Sequence, residues 1–157
     1  MTSRVYTVSY TATAVTAAVD LFELSPADDK PIEIIGIMLG QSSDSGDAQA
    51  EALPFRVIRG HTTSGSGGGT ATPRPLDRSG PAAGFTCETN NTTAASAGTT
   101  VDLLCDVWNL QQGYAVWLPE GCGLEASQGD ATLVVRLGAA PADSITVSAT
   151  LFCKEQG

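Results

Sequence analysis

The sequence predicts an all-β fold, an antiparallel, jelly-roll-like β-sandwich of about ten short strands. Three observations support this prediction. Apolar and polar residues alternate with a period of two along most of the chain, and clusters of Gly, Pro, Asn and Asp interrupt the alternation at short intervals. Thr, Ser, Val and Ala also far outnumber the helix-favouring Glu and Lys. With 157 residues the chain is predicted to be a single domain, residues 1–157.

The first third of the chain contains three predicted strands and two turns. An extended N-terminal strand covers residues 1–11, and a second strand covers residues 14–24. After a turn rich in Pro and Asp, residues 32–39 are apolar on both faces of the third strand. Such a strand is covered on both sides or lies in a subunit contact, so we expect an oligomer. Residues 41–47 are predicted to be a polar loop.

Residues 60–80 are predicted to be a long Gly/Ser/Pro-rich loop. Five glycines and two prolines lie within residues 61–80, so we expect no regular strand pairing there and a mobile loop in the free protein. Arg59, Arg74 and Arg78 are its few positive charges, and they are candidates for contact with an acidic partner surface. An ordinary surface loop without a function is the alternative.

The last part of the chain returns to alternation. Strands are predicted around residues 85–91, 99–108, 114–118 and 122–127. Two further segments, residues 131–137 and 144–153, carry the clearest alternation in the chain. A short turn with Pro141 joins them, so we expect them to pair as a β-hairpin with one buried and one solvated face.

Charge and composition argue against several classes of partner. The net charge of −9 disfavours binding to nucleic acid or to an anionic membrane surface. No stretch is long and apolar enough to be a membrane helix, and no signal core precedes the first strand, so we expect synthesis in the cytoplasm. The four cysteines show no metal-binding spacing, and we expect all of them to be reduced thiols.

The residues needed for most catalytic sites do not occur together in the sequence. His61 is the single histidine and has no identifiable nucleophile or carboxylate beside it. We therefore predict no catalytic residue, no cofactor and no metal, and no enzymatic activity. A hydrolase would need a carboxylate pair from the set Asp102, Asp106, Glu120 and Glu125, which we place on solvated faces.

A cluster of aromatic residues suggests a second class of function. Trp108, Tyr114 and Trp117 could form a platform for a sugar ring. Aromatic residues at this spacing in a β-protein more often lie in the core or in a subunit contact. A carbohydrate-binding or host-recognition module is thus an alternative function.

Several segments resemble a known type of protein. The segments are EIIGI at residues 33–37, VIRGHTTSGSGG at 57–68, TPRPL at 72–76 and NNTT at 90–93. With these, the chain resembles, nearly from end to end, a small protein type found among the virion genes of tailed phages and prophages. The resemblance implies a non-enzymatic capsid decoration, or cement, protein that is built as a β-sandwich and acts as an oligomer.

The same resemblance implies a location and partners. Proteins of this type sit on the outer capsid surface of the virion, often at three-fold positions, and stabilise neighbouring subunits of the major capsid protein. A homotrimer is the expected oligomer. The following residues are candidates for partner contact: Arg59, His61, Arg74, Arg78, Trp108, Tyr114 and Trp117.

Overall fold

The computed structural model describes residues 4–43 and 50–157, and it is built almost entirely from antiparallel strands. Most of the predicted polar loop at 41–47 therefore lies outside the described residues. The strands are β1 (Arg4–Val15), β2 (Asp20–Ser25), β3 (Ile32–Gln41), β4 (Ala52–His61), β5 (Gly69–Thr70), β6 (Arg74–Pro75), β7 (Thr86–Asn91), β8 (Val101–Asn109), β9 (Tyr114–Trp117), β10 (Leu124–Ala126), β11 (Thr132–Leu137) and β12 (Ile145–Glu155). One 3₁₀ turn, Gln128–Asp130, precedes β11.

The strands form two six-stranded antiparallel sheets. The first sheet has the order β10-β3-β12-β1-β6, and β9 also pairs with β3. The second sheet has the order β5-β7-β2-β11-β4-β8. The prediction of an all-β antiparallel sandwich is confirmed, and no α-helix occurs in the described part of the chain.

One hydrophobic core fills the space between the sheets. Alternate side chains of each strand point into it, as the period of two requires. From the first sheet it receives, among others, Tyr6, Val8, Ile32, Ile34, Ile37, Val147, Leu151 and Cys153, and from the second Leu21, Phe22, Leu24, Phe55, Val57, Trp108, Leu133 and Val135. All of these side chains are buried.

A bulge in β3 changes which of its apolar side chains point into the core. The register with β12 shifts between Phe152 and Cys153, so Ile34 and Ile37 both point into the core. A strict period of two along residues 32–39 predicts that Ile34 and Met38 share a face, and the bulge makes this prediction wrong. Met38 points outward instead and is 42% exposed.

The prediction that residues 131–137 and 144–153 pair with each other as a hairpin is wrong. β11 lies in the second sheet between β2 and β4, whereas β12 lies in the first sheet between β1 and β3. The connection after Leu137 crosses from one sheet to the other. Alternation had indicated correctly that each strand buries one face, but it carries no information about which strand lies alongside.

Residues 60–80 are also more regular than predicted. They contain β5, which pairs with β7, and β6, which pairs with β1. Residues 62–68 run antiparallel to residues 92–98, and we call these two segments the twin loops. Four backbone hydrogen bonds of 2.9 Å join Thr63 to Ser96 and Ser66 to Thr93 in both directions. The expectation of a segment without strand pairing is therefore wrong.

Glycines make this pairing possible. A Cβ atom added at Gly98 would lie 2.1 Å from the carbonyl oxygen of Gly60. A Cβ atom added at Gly68 would lie 2.0 Å from the carbonyl oxygen of Thr89. The backbone approaches too closely at both positions for any side chain. The glycine-rich composition that suggested disorder therefore permits close packing of the twin loops.

Candidate functional site

The twin loops cover the outer face of the second sheet. Val134 and Ile58 point away from the main core, yet both are buried, and so is Ala95 of the second loop. Burial of both faces of β11 explains why its predicted solvated residues, Thr132 and Arg136, are not exposed. The sequence signal for this arrangement was Val134, an apolar residue on the face predicted to be polar.

Two buried carboxylates of β2 bind the backbone of the twin loops. Glu23 accepts a hydrogen bond from the Gly65 N–H at 2.9 Å, and Asp20 accepts one from the Ala95 N–H at 2.7 Å. Arg136 binds both oxygens of Asp20 and donates to the Ala95 carbonyl oxygen at 2.7 Å. Sequence analysis identified none of these residues, because nothing local marks an acidic residue as buried.

The two loops repeat one another at an offset of 30 positions. Exchanging the two loops, so that Thr63 takes the place of Thr93 and Ser66 that of Ser96 and the reverse, maps the four cross-loop hydrogen bonds onto one another. Gly60 and Asn90 both have positive φ, 96° and 54°, as do Gly67 and Ala97 with 87° and 55°. The identical pairs are Thr62 and Thr92, Thr63 and Thr93, Ser66 and Ser96, and Gly68 and Gly98. The loops are therefore two copies of one local structure, related by an approximate two-fold axis.

The outer face of the first sheet presents an aromatic patch, which we define as Met38, Trp117 and Phe152. The Trp117 and Phe152 rings pack at a centroid distance of 4.4 Å over Gly36, where a Cβ atom would lie 2.8 Å from the indole. Trp117 remains 58% exposed. A shallow groove of about 520 Å³ continues from Met38 across the sheet and is lined by the hydroxyls of Ser9, Ser148 and Thr150, among other residues.

The three aromatic residues predicted as a sugar platform do not lie together on the surface. Trp108 is fully buried, and its indole N–H donates to the Gln112 carbonyl oxygen at 3.2 Å. Tyr114 packs edge-on against Phe55 and donates its hydroxyl to Asp106 at 2.7 Å. Trp117 is thus the one ring of the three that is largely accessible, and Trp108 cannot reach a partner surface.

The predicted basic contact residues also have different environments. Arg59 donates to the Glu125 carbonyl oxygen at 3.1 Å. His61 is buried, with Nδ1 3.3 Å from the Ala97 carbonyl oxygen. Arg74, in β6, and Arg78, in the following turn, are exposed. Exposure leaves Arg74 and Arg78 available for the contact with an acidic partner that the sequence suggests, whereas the buried His61 ring contacts Ala97 of the second twin loop.

Two of the four acidic residues considered for a hydrolase, Asp102 and Asp106, have hydrogen-bond partners of their own. Asp102 binds Arg56 at 3.2 Å, and Asp106 accepts hydrogen bonds from Tyr114 and from the Val107 N–H. The Tyr114 hydroxyl and, secondarily, that N–H lower the pKa of Asp106. Within the described ranges, no group of three or more His, Cys, Asp or Glu residues is arranged to hold a metal. No helix in that part of the chain could cross a membrane.

The edge strand β8 exposes Val101 and Val107 but is poorly suited to pair with a further strand. Its register with β4 shifts between Val57 and Ile58, and the Asp106 carboxylate accepts the Val107 N–H at 2.8 Å. Bulges and charged residues of this kind protect natural sheet edges against added strands. We therefore regard the aromatic patch, rather than β8, as the candidate contact surface.

The four cysteines are free thiols in two different environments. Cys105 and Cys122 are exposed, whereas Cys87 and Cys153 are buried in the core. Burial raises the pKa of Cys153 to about 12, and burial also raises the pKa of Cys87. Since the thiolate is the reactive form, only the exposed pair should react quickly near pH 8.

We expect iodoacetamide to label two thiols in the native protein and four in the unfolded protein. Peptide mass spectrometry should place the native labels on Cys105 and Cys122. Labelling of the native protein at Cys87 or Cys153 on the same timescale would contradict this assignment of burial. Two thiols that stay protected after unfolding without reductant would indicate a disulfide.

The chain was compared with known proteins at the level of families, sequences and structures. It matches no protein-family model, no curated protein and no solved structure.

Proposed function

We propose that the chain is a non-enzymatic virion structural protein, a capsid decoration protein that binds the outer surface of a phage head. In this proposal it contacts the major capsid protein, acts as a homotrimer and stabilises the capsid lattice. The resemblance of its sequence segments to virion proteins of tailed phages motivates the identity, the location and the trimer.

The observation that supports a contact function most directly is the aromatic patch. Trp117 is 58% exposed and lies on a flat sheet face beside Phe152 and the 42% exposed Met38. Exposed apolar patches of this kind mark protein contact surfaces, and Trp and Met are enriched in them. The face is preformed, because β3 pairs with β12 on one side and with β9 on the other, so little ordering entropy is lost on binding.

The experiment uses particles assembled by the phage or prophage that encodes the chain. Mass spectrometry of purified particles should find the protein at a fixed ratio to the major capsid protein, and electron cryomicroscopy should place it on the outer surface. Absence from the particles, or a location in the tail, would overturn the proposal. Glycan-array binding by the isolated protein together with a tail location would favour the carbohydrate-binding alternative.

Substitution of Trp117 tests whether the patch makes the contact. We expect Trp117→Ala to weaken binding to particles by about tenfold or more, because exposed tryptophans dominate many interfaces. Leu76→Ala is the matched control, since Leu76 is also 58% exposed but lies after β6 on another part of the molecule. Equal occupancy of both variants on particles would show that the contact is made elsewhere.

A further inference from the structure

Three carboxylates in the described part of the chain are almost completely buried, and two of them have a cationic partner. Asp20 binds Arg136 through two hydrogen bonds, and Glu155 lies 3.4 Å from the Lys30 ammonium. Glu23 is the third, with 1% exposure. No Lys, Arg or His within the described residues forms an ion pair with it.

The hydrogen bonds of Glu23 involve only one of its oxygens. Oε2 accepts from the Gly65 N–H and from the Asn91 side-chain amide, both at 2.9 Å. Oε1 is buried and has no partner. A buried carboxylate without an opposite charge is costly, and the uncompensated oxygen adds to that cost.

A second carboxylate lies directly across the strand pair. Glu88 of β7 is the register partner of Glu23 in β2, so the two side chains share the outer face of the sheet. The Asn91 amide nitrogen bridges them, at 2.9 Å from Glu23 Oε2 and 2.7 Å from Glu88 Oε2. Glu88 also has no ion pair among the described residues and is partly exposed, which leaves a route from solvent.

The group that bridges the two carboxylates is a neutral amide, so neither has an opposite charge beside it. A cation between them would supply the missing charge. A half-turn of the Asn91 amide exchanges its nitrogen and oxygen, which turns the bridging donor into a third oxygen ligand. Two carboxylates and an amide oxygen, completed by water, are a ligand set typical of calcium.

We propose that Glu23, Glu88 and Asn91 bind a Ca²⁺ ion at the base of the twin loops. The ion supplies the positive charge that Arg136 and Lys30 supply to the other buried acids, and it engages the unpartnered Glu23 Oε1. Because Glu23 also holds the Gly65 N–H, calcium binding stabilises the first twin loop on the sheet. This proposal is independent of any role in a virion.

The test uses the full chain, freed of metal with a chelator, and Ca²⁺ as the ligand. We expect isothermal titration to show one site per chain. At a calcium concentration about a hundredfold above Kd, the melting temperature should rise by about 5–10 °C. Mg²⁺ should produce a smaller rise, since it demands a regular octahedral ligand set.

Glu88→Gln should abolish the calcium-dependent rise in melting temperature while the variant remains folded, because Glu88 is not fully buried. Glu125→Gln is the control, since Glu125 is exposed on β10 of the other sheet and should leave the rise unchanged. A wild-type protein that shows no heat of binding and no rise would overturn the proposal. So would an equal rise in Glu88→Gln.

Discussion

Arg136→Met is expected to lower the free energy of unfolding by about 3–5 kcal/mol. Among the described residues, Arg136 is the one cation paired with Asp20, which is completely buried, and its guanidinium also binds the Ala95 carbonyl oxygen at 2.7 Å. The substitution leaves the Asp20 carboxylate without an opposite charge and removes the Arg136 contact to the second twin loop. Removing one partner of a buried pair costs much more than the pair itself contributes.

Urea unfolding followed by tryptophan fluorescence measures this effect. Arg56→Met is the matched control, because Arg56 pairs with Asp102 at the surface, where the side chains are 43% and 40% exposed. Exposed pairs contribute about 0–1 kcal/mol, so the control should unfold almost like wild type. Similar losses in the two variants would mean that Asp20 is not buried in solution.

Trp108→Ala is expected to destabilise the protein by about 3–5 kcal/mol as well. The indole is completely buried in the core and its N–H bonds to the Gln112 carbonyl oxygen, so truncation leaves a large cavity and an unpaired acceptor. The cavity left by the indole collapses only partly, because hydrogen bonds between strands hold the backbone of the two sheets around it in place.

Trp117→Ala makes the same chemical change at the surface and serves as the control. Trp117 loses only its packing on Phe152 and Gly36, so we expect a loss of about 1 kcal/mol or less. Thermal unfolding of the two variants under identical conditions gives the comparison. A larger loss for Trp117→Ala than for Trp108→Ala would contradict both the assignment of the core and the assignment of the aromatic patch.

The fold class could be read from the sequence because each strand carries its own evidence of burial. Ile145, Val147 and Leu151 alternate with Thr146, Ser148 and Thr150, and this pattern requires one buried face whatever lies alongside. The N-terminal strand and most later strands were predicted for the same reason. Boundaries and strand number differ where short strands such as β5 and β6 owe their pairing to tertiary contacts.

Features that depend on contacts distant in sequence could not be predicted. β11 and β12 have equally clear patterns, yet only the folded chain decides that they belong to different sheets. Trp108 and Trp117 look alike in sequence, and their opposite burial follows from the direction in which each strand presents its side chain. The composition of residues 60–80 suggested disorder, because the sequence does not reveal that residues 92–98 lie beside them.

By itself, therefore, the sequence determined the all-β class and most of the side chains that enter the core. The tertiary structure decided which strands are neighbours, how the twin loops pack and where the buried carboxylates Asp20 and Glu23 lie. The physical reason is the range of the interactions. Alternation is a local consequence of burying one face of a strand, whereas a buried charge is tolerated only where residues from distant parts of the chain provide its hydrogen bonds.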